Sequence, residues 1–260
     1  MIKDIARSVV DFAFYKEVPK KTLWTTTAYL VLLGGLFSAA VTVAVYQKVG
    51  PRIRAAVEWA AVSMPSMTIA NGKLTCAVPG PTEIRHPDMP QVGLVIDADR
   101  TAPVTPAEMA QKKLVAYLTA DAAYVLTVDR LETYDLSKSK DKESVVIDAA
   151  FYRNMGAVLL KVLYPISFFV SWLTFVIWKH GAALVYSLVA LLVNAVAEGG
   201  FEFPALYRMA VYAQTPVVIL QTDALFLPRP IPLFSVLALL VVTAYLWQAI
   251  RIADPEESKP

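Results

Sequence analysis

Residues Trp24 to Tyr46 form an apolar run with no charged side chain, "WTTTAYLVLLGGLFSAAVTVAVY". At about 1.5 Å per residue a helix of this length crosses a hydrocarbon core of about 30 Å. That stretch constrains the fold more than any other, because a chain that leaves its backbone in lipid must satisfy every N–H and C=O internally. It is expected to be a retained transmembrane helix over residues 23–47. The rival reading is a cleaved signal peptide, since Lys16, Lys20 and Lys21 precede the run and Ser38-Ala39-Ala40 are small; the run is longer than a usual signal core and begins late.

Composition agrees with a membrane protein. Of 260 residues 57% are hydrophobic, and the 24 basic and 22 acidic side chains nearly cancel, which removes the basic stripe a nucleic-acid binder needs. No nucleic-acid partner is expected. The one cysteine, Cys76, cannot make an intramolecular disulfide, and neither it nor His86 and His180 falls into zinc-ligand spacing.

Four further apolar segments follow: Gly156 to Trp178, Gly181 to Ala197, Ala205 to Leu220 and Ile231 to Ile250. Lys179-His180 reads as a tight turn between the first two, which gives about five spans and leaves the fourth span the weakest. The basic residues Lys3, Arg7, Lys16, Lys20 and Lys21 lie before the first span, which predicts a cytoplasmic N-terminus. Residues 1–22 carry Ile2, Ile5, Val9, Phe12 and Val18 near one helical stripe. This predicts an amphipathic helix, lying on the cytoplasmic leaflet or packed on the membrane bundle.

Residues 48–155 have ordinary globular composition, with 13 basic and 13 acidic residues, and are expected to form an extracytoplasmic domain. "GPRIRAAVEWAAVSMP" opens it as a helix ending near Pro65. "TIANGKLTC" follows as a hairpin around Asn71-Gly72. "QVGLVIDAD", "KLVAYLTADAAYVLTVD", "RLETYDLS" and "ESVVIDAAFY" read as strands, and Thr105 as the N-cap of a short helix. "SKSKDKES", Ser137 to Ser144, reads as a solvated hairpin loop. The expected fold class is an α-helical integral membrane protein with an inserted α+β, mainly antiparallel domain, a bundle of three or four spans over 156–250 and a polar tail over 251–260.

These residues also resemble a family. "FYKEVPKKTLW" before the first span, "MPSMTIANGKLT" after it, then "LVIDAD", "YLTADAAYVL", "TYDLS" and "YRMAVYAQTPVVI" are similar to an uncharacterised bacterial membrane family. That family is related to the Yip (Ypt-interacting) membrane proteins, and one branch is labelled maltodextrin-utilisation protein. The similarity runs from about Phe14 to Ile250. It implies a bacterial inner-membrane location, a cytoplasmic N-terminus and a non-enzymatic role organising membranes or recruiting partners. It supplies no catalytic residue to carry over, and the inserted domain departs from the short-loop Yip plan.

Chemistry-bearing residues are sparse. Asp97 and Asp99 share one side of a strand, as a paired cation site would require, but Asp121, Asp129 and Asp135 are scattered and no calcium loop is present, so solvent exposure or turn capping is the expected role. Ser137, Ser144 and His86 lack the GxSxG elbow of a serine hydrolase, and Cys76 on a hairpin arm reads as a half-buried small residue. No catalytic residue, cofactor or metal is expected.

The membrane half holds Lys161, Asn194, Arg208, Gln214, Gln221 and Asp223 in or beside apolar spans, where unpaired polar groups are costly and often functional. Pro216 is expected to bend the fourth segment. Two functions follow as expectations. The first is an adaptor, scaffold or complex subunit acting through the outer domain on a membrane or periplasmic protein partner. The alternative is a transporter or permease accessory with Asn194, Arg208, Gln214 and Asp223 lining a polar path.

Overall fold

A computed structural model of the chain describes residues 1–127, 130–138 and 144–253, with the side chains of residues 89–92 outside that description. It is mainly helical with an inserted α+β region. Two compact units emerge: Met1–Gly50 with Val162–Pro260, and Pro51–Lys161.

The helices are α1 (Ile2–Val10), α2 (Leu23–Lys48), α3 (Gly50–Ser63), α4 (Pro106–Gln111), α5 (Ala149–Val196), α6 (Phe203–Ala213), α7 (Thr215–Ala224) and α8 (Phe234–Ile252). The strands are β1 (Met67–Ala70), β2 (Lys73–Cys76), β3 (Thr82–His86), β4 (Met89–Asp97), β5 (Leu114–Thr119), β6 (Ala122–Leu126), β7 (Leu131–Asp135) and β8 (Val145–Ile147). Among the described residues three helical stretches are long and apolar enough to cross a membrane: Leu23–Ser63, Ala149–Val196 and Phe234–Ile252.

The expected count of about five spans is corrected in two places. Lys179-His180 does not turn the chain; the two apolar segments around it form one 48-residue helix, α5. Neither residue breaks a helix, since Lys is a good helix former and His a tolerable one, and the Gly181 that follows them stays inside α5. The weak fourth segment is divided at Gln214 into α6 and α7, with Pro216 in the first turn of α7.

Contacts inside the first unit fix the path of these helices. Trp172 Nε1 donates to Val31 O at 3.0 Å and Ser167 Oγ approaches Thr42 Oγ1 at 3.5 Å, so α5 runs antiparallel to α2. Gly34 makes the close approach possible: a Cβ there would stand 2.9 Å from Phe175 Cδ1 and 3.3 Å from Trp172 Cδ1. Tyr245 Oη donates to Val9 O at 2.8 Å, which brings the last part of α8 to the segment that precedes α2. At the far end Lys48 Nζ, on the last residue of α2, donates to Leu225 O at 2.6 Å, just past α7. Together α6 and α7 therefore lead from the start of α2 to its end, as a broken helix.

The N-terminal helix is shorter than residues 1–22. It stops at Val10, where Asp11 leaves the helical conformation and accepts from Ala13 N at 3.0 Å, opening tight turns over Phe12–Lys16 and Val18–Lys20. Of the two placements expected for it, the structure has α1 packed on the helices: Ser8 is fully buried, and Phe14, Tyr15 and Val18 from the turns join one apolar core with α2, α6 and α8.

In the second unit the Asn71-Gly72 turn joins β1 to β2, with Ala70 opposite Lys73 and both turn residues at positive φ. A Cβ on Gly72 would also stand 2.7 Å from Ser137 Cα, so the turn needs glycine for conformation and for space. The strands form two sheets, ordered β2-β1-β8 and β3-β4-β5-β6-β7, antiparallel except for β4 beside β5. Two readings change. "ESVVIDAAFY" is a strand only to Ile147, after which Asp148 caps α5 by accepting from Phe151 N at 2.8 Å. The stretch Ser137 to Ser144 is not a hairpin loop, because β7 pairs in one sheet and β8 in the other; its residues 139–143 lie outside the described residues, as do Asp129 and the tail beyond Ala253.

An ion-pair latch holds α4 to the larger sheet. Arg100 donates Nη1 and Nη2 to the two carboxylate oxygens of Glu108, each at 2.8 Å, and Nη1 also reaches Tyr117 Oη, which donates to Asp97 at 3.1 Å. The Arg100 hydrogen bonds, helped by Lys112 and opposed by partial burial, hold the Glu108 carboxyl at about 2 against an ordinary 4.5. A depressed carboxyl stabilises the fold fully above its ordinary range and loses that contribution as pH falls through the folded value. The full-length protein is accordingly expected to unfold at higher temperature than its Glu108→Gln variant at neutral pH, by about 1 kcal/mol of stability, with the gap closing as pH drops from about 5 toward about 2.

Candidate functional site

The break between α6 and α7 is where the polar groups of the helical unit gather. Pro216 has no N–H to offer the carbonyl of Tyr212, four residues back. Thr215 Oγ1 donates to that carbonyl at 2.8 Å, and the Gln214 N–H also reaches it. Tyr29 Oη of α2 lies 2.6 Å from Thr215 Oγ1 and, with the threonine proton already directed at Tyr212, donates to it. Ser8 Oγ of α1 lies 3.2 Å from the same Tyr29 oxygen, and Tyr15 Oη donates to Ser8 O at 3.0 Å. All four side chains are fully buried. A single interruption in a hydrogen-bond ladder is thus tied to the N-terminal helix through one tyrosine.

Gln214 works on the other side of the break. Its Nε2 donates to Ala210 O at 3.3 Å and to Lys179 O of α5 at 3.4 Å, while its Oε1 is buried without a partner among the described residues. Lys179 is 95% buried by its 5% exposure, and its Nζ donates to Gln221 Oε1 of α7 at 2.9 Å and lies 5.6 Å from the Phe175 ring centre. Neither partner carries a negative charge. Beside this pair a groove of about 660 Å³ runs along α5 between Leu163 and Lys179.

Among the described residues no hydrogen bond joins any two of the four positions expected to share a polar path. Gln214 sits at the break. Asn194 clamps the turn after α5, donating to Phe201 O and accepting from Phe201 N, both at 3.2 Å. Arg208 is half-buried in α6, its Nε without a partner among the described residues. Asp223 is exposed near the end of α7 beside a small cavity of about 200 Å³ that also touches Ile5 and Phe37. Sequence reasoning missed Lys179 by placing it in a water-facing turn. Lys and His favour a continuing helix while the adjacent Gly181 is a residue that turns use, so local propensity did not decide between the two.

In the inserted unit the acidic residues serve local structure. Asp97 accepts from Tyr117, Asp99 from Gly80 N at 3.3 Å, and Asp135 from Ser137. His86 lies against Trp59, 4.6 Å between ring centres, and its Nδ1 accepts from Asp88 N at 3.2 Å. Cys76 is free and half-buried opposite Met67. Among the described residues no three His, Cys, Asp or Glu side chains are placed to hold a metal ion.

With this geometry in hand, comparison with known proteins is informative about kinship. A family model described as protein of unknown function, DUF1189, matches residues 2–250. The chain belongs to the DUF1189 family. No curated protein and no solved structure matches it.

In this DUF1189 chain the tyrosine at the break bonds α7 and lies against α1, and its hydroxyl can be removed without orphaning a neighbour. Ser8 keeps Ile5 O at 2.8 Å and Thr215 keeps Tyr212 O. Tyr29→Phe is expected to cost about 1 kcal/mol of stability in detergent, with faster amide exchange concentrated in α1.

Proposed function

We propose that the protein is a non-enzymatic, multi-pass bacterial inner-membrane protein that acts as an adaptor, scaffold or complex subunit, presenting residues 51–161 outside the cytoplasm to a membrane or periplasmic protein partner. The observation that carries the layout is the pair of contacts at opposite ends of the helical unit, Tyr245 with Val9 and Lys48 with Leu225. They support four crossings: α2, the first unit's part of α5, the broken α6–α7 pair and α8. An even number returns the chain to the side where it began. The cluster of Lys3, Arg7, Lys16, Lys20 and Lys21 assigns that side to the cytoplasm.

A partner surface is suggested by β8. Among the described residues it pairs with β1 alone, and it exposes Val145 and Val146 on an open sheet edge, the chemistry used for strand addition by a partner. The likeness to the Yip membrane proteins adds to a recruiting role. The transporter or permease-accessory reading draws on the broken helix and buried Lys179, features that line binding sites in transporters. No hydrogen bond among the described residues joins its four expected path residues, and we favour the adaptor.

Two measurements test this. In a Cys76→Ser background, a membrane-impermeant thiol reagent applied to intact cells is expected to label Thr133→Cys and to reach Glu202→Cys only after lysis; labelling of both from one side overturns the layout. Val146→Glu is expected to abolish a companion protein's co-purification in mild detergent while the chain still inserts. A companion retained by that variant but lost with changes in α6–α8 overturns the docking role.

A further inference from the structure

Lys179 poses a problem that the adaptor role does not solve. A buried ammonium in a lipid-facing helical unit is expensive, and its partners are an amide oxygen and a ring. Among the described residues no carboxylate forms an ion pair with it. Gln221 spends its Oε1 on the lysine and leaves its Nε2 hydrogens without a partner among the described residues. The pair therefore presents two unspent kinds of donor to one spot, a spot that lacks a negative charge.

That spot is the end of the groove. Leu163, Ile166, Val170 and Phe175 of α5 line it with Phe37 of α2 and Leu225, and almost all of its surface is hydrocarbon. From Leu163 to Lys179 is sixteen helical steps, about 24 Å, the dimension of a long straight alkyl chain laid along the helix. We propose that this groove binds a single-chain amphiphile with a carboxylate head, a long-chain fatty acid, its carboxylate accepting from Lys179 Nζ and Gln221 Nε2 and its chain lying along α5.

Depth selects the carboxylate over a phospholipid head. Gln214 contacts Lys179 O, and its neighbour Thr215 meets Tyr29, six residues or about 9 Å into α2 from Leu23. Lys179 Nζ points farther inward, toward Gln221, seven residues beyond Gln214. A phosphodiester bonded to glycerol would have to leave the interface to reach it. A lone carboxylate carries no such attachment and matches one ammonium and one amide.

The proposal rests on the helical unit being embedded in the bilayer and is independent of any partner of the inserted domain. Retention in the membrane after an alkaline carbonate wash tests the embedding by itself. The ligand test uses the full chain in lipid nanodiscs with a long-chain fatty acid bearing a mid-chain diazirine. Cross-links are expected on α5 between Leu163 and Trp178, displaced by unlabelled palmitate. Lys179→Met is expected to cut labelling by about tenfold or more and Lys179→Arg to retain it. Val170→Trp, which fills the groove and leaves Lys179 in place, is expected to block labelling and decides the matter if Lys179→Met fails to fold. Equal labelling by the matching fatty alcohol, or labelling unchanged in a folded Lys179→Met or Val170→Trp protein, overturns the proposal. So does a diazirine-bearing phosphatidylglycerol that labels the groove in a Lys179-dependent way where the acid does not.

Discussion

The helical unit is organised around one missing hydrogen bond. Pro216 cannot serve Tyr212 O, and a carbonyl left bare away from water costs several kcal/mol on the scale of apolar transfer, about 1–3 kcal/mol by mutation. The repair is local in part, since Thr215 Oγ1 takes the carbonyl, but its consequences spread. Thr215 needs a donor of its own and finds Tyr29; Tyr29 lies against Ser8; Ser8 O receives Tyr15. Gln214, freed from a regular helical position, turns its amide to Lys179 O. Four separate pieces of chain, α1 with its following turns, α2, α5 and the broken helix, meet around this interruption, within the apolar core that packs them together.

How much of this was legible in the sequence depends on what kind of information each element needed. The long apolar helix α2, a candidate span, was readable because length and absence of charge define such a segment. The division of the fourth apolar segment falls beside Pro216, which stands in the first turn of α7. The merger of two apolar segments into α5 was not read, because a Lys-His pair amid hydrocarbon suggests water, and hydropathy cannot distinguish a turn from a polar side chain buried against its neighbours. Propensity was divided, since Lys and His favour continuing the helix while the adjacent Gly181 could have supplied the turn a helical hairpin needs.

The inserted unit shows the same division. β-Branched alternation located its strands, and Asn71-Gly72 its tight turn, since both are local signals. Which strands share a sheet is set by contacts distant in sequence. Period-two patterning tells which face of β7 or β8 is buried without telling which strand lies beside it. Thus Ser137 to Ser144 looked like a hairpin loop while it connects the edges of two different sheets, and Asp148 looked like part of a strand while it caps a helix. Both errors come from reading adjacency in sequence as pairing in space.

The scattered fate of Asn194, Arg208, Gln214 and Asp223 follows from a further physical point. A polar residue in an apolar helix has two ways to lower its cost: it can satisfy backbone left bare by an irregularity, or it can face another polar side chain. Asn194 and Gln214 take the first course, one at the turn after α5 and the other at the α6–α7 break, and Asp223 stays exposed. Lys179 takes the second with Gln221, and there the accounts do not close, because an amide oxygen satisfies an ammonium's hydrogen bond without neutralising its charge. Residues that complete a helix end explain themselves by the fold. A buried cation facing an alkyl-lined groove is not explained by the fold, and that distinction, invisible in hydropathy, separates Lys179 from the positions a sequence scan singles out.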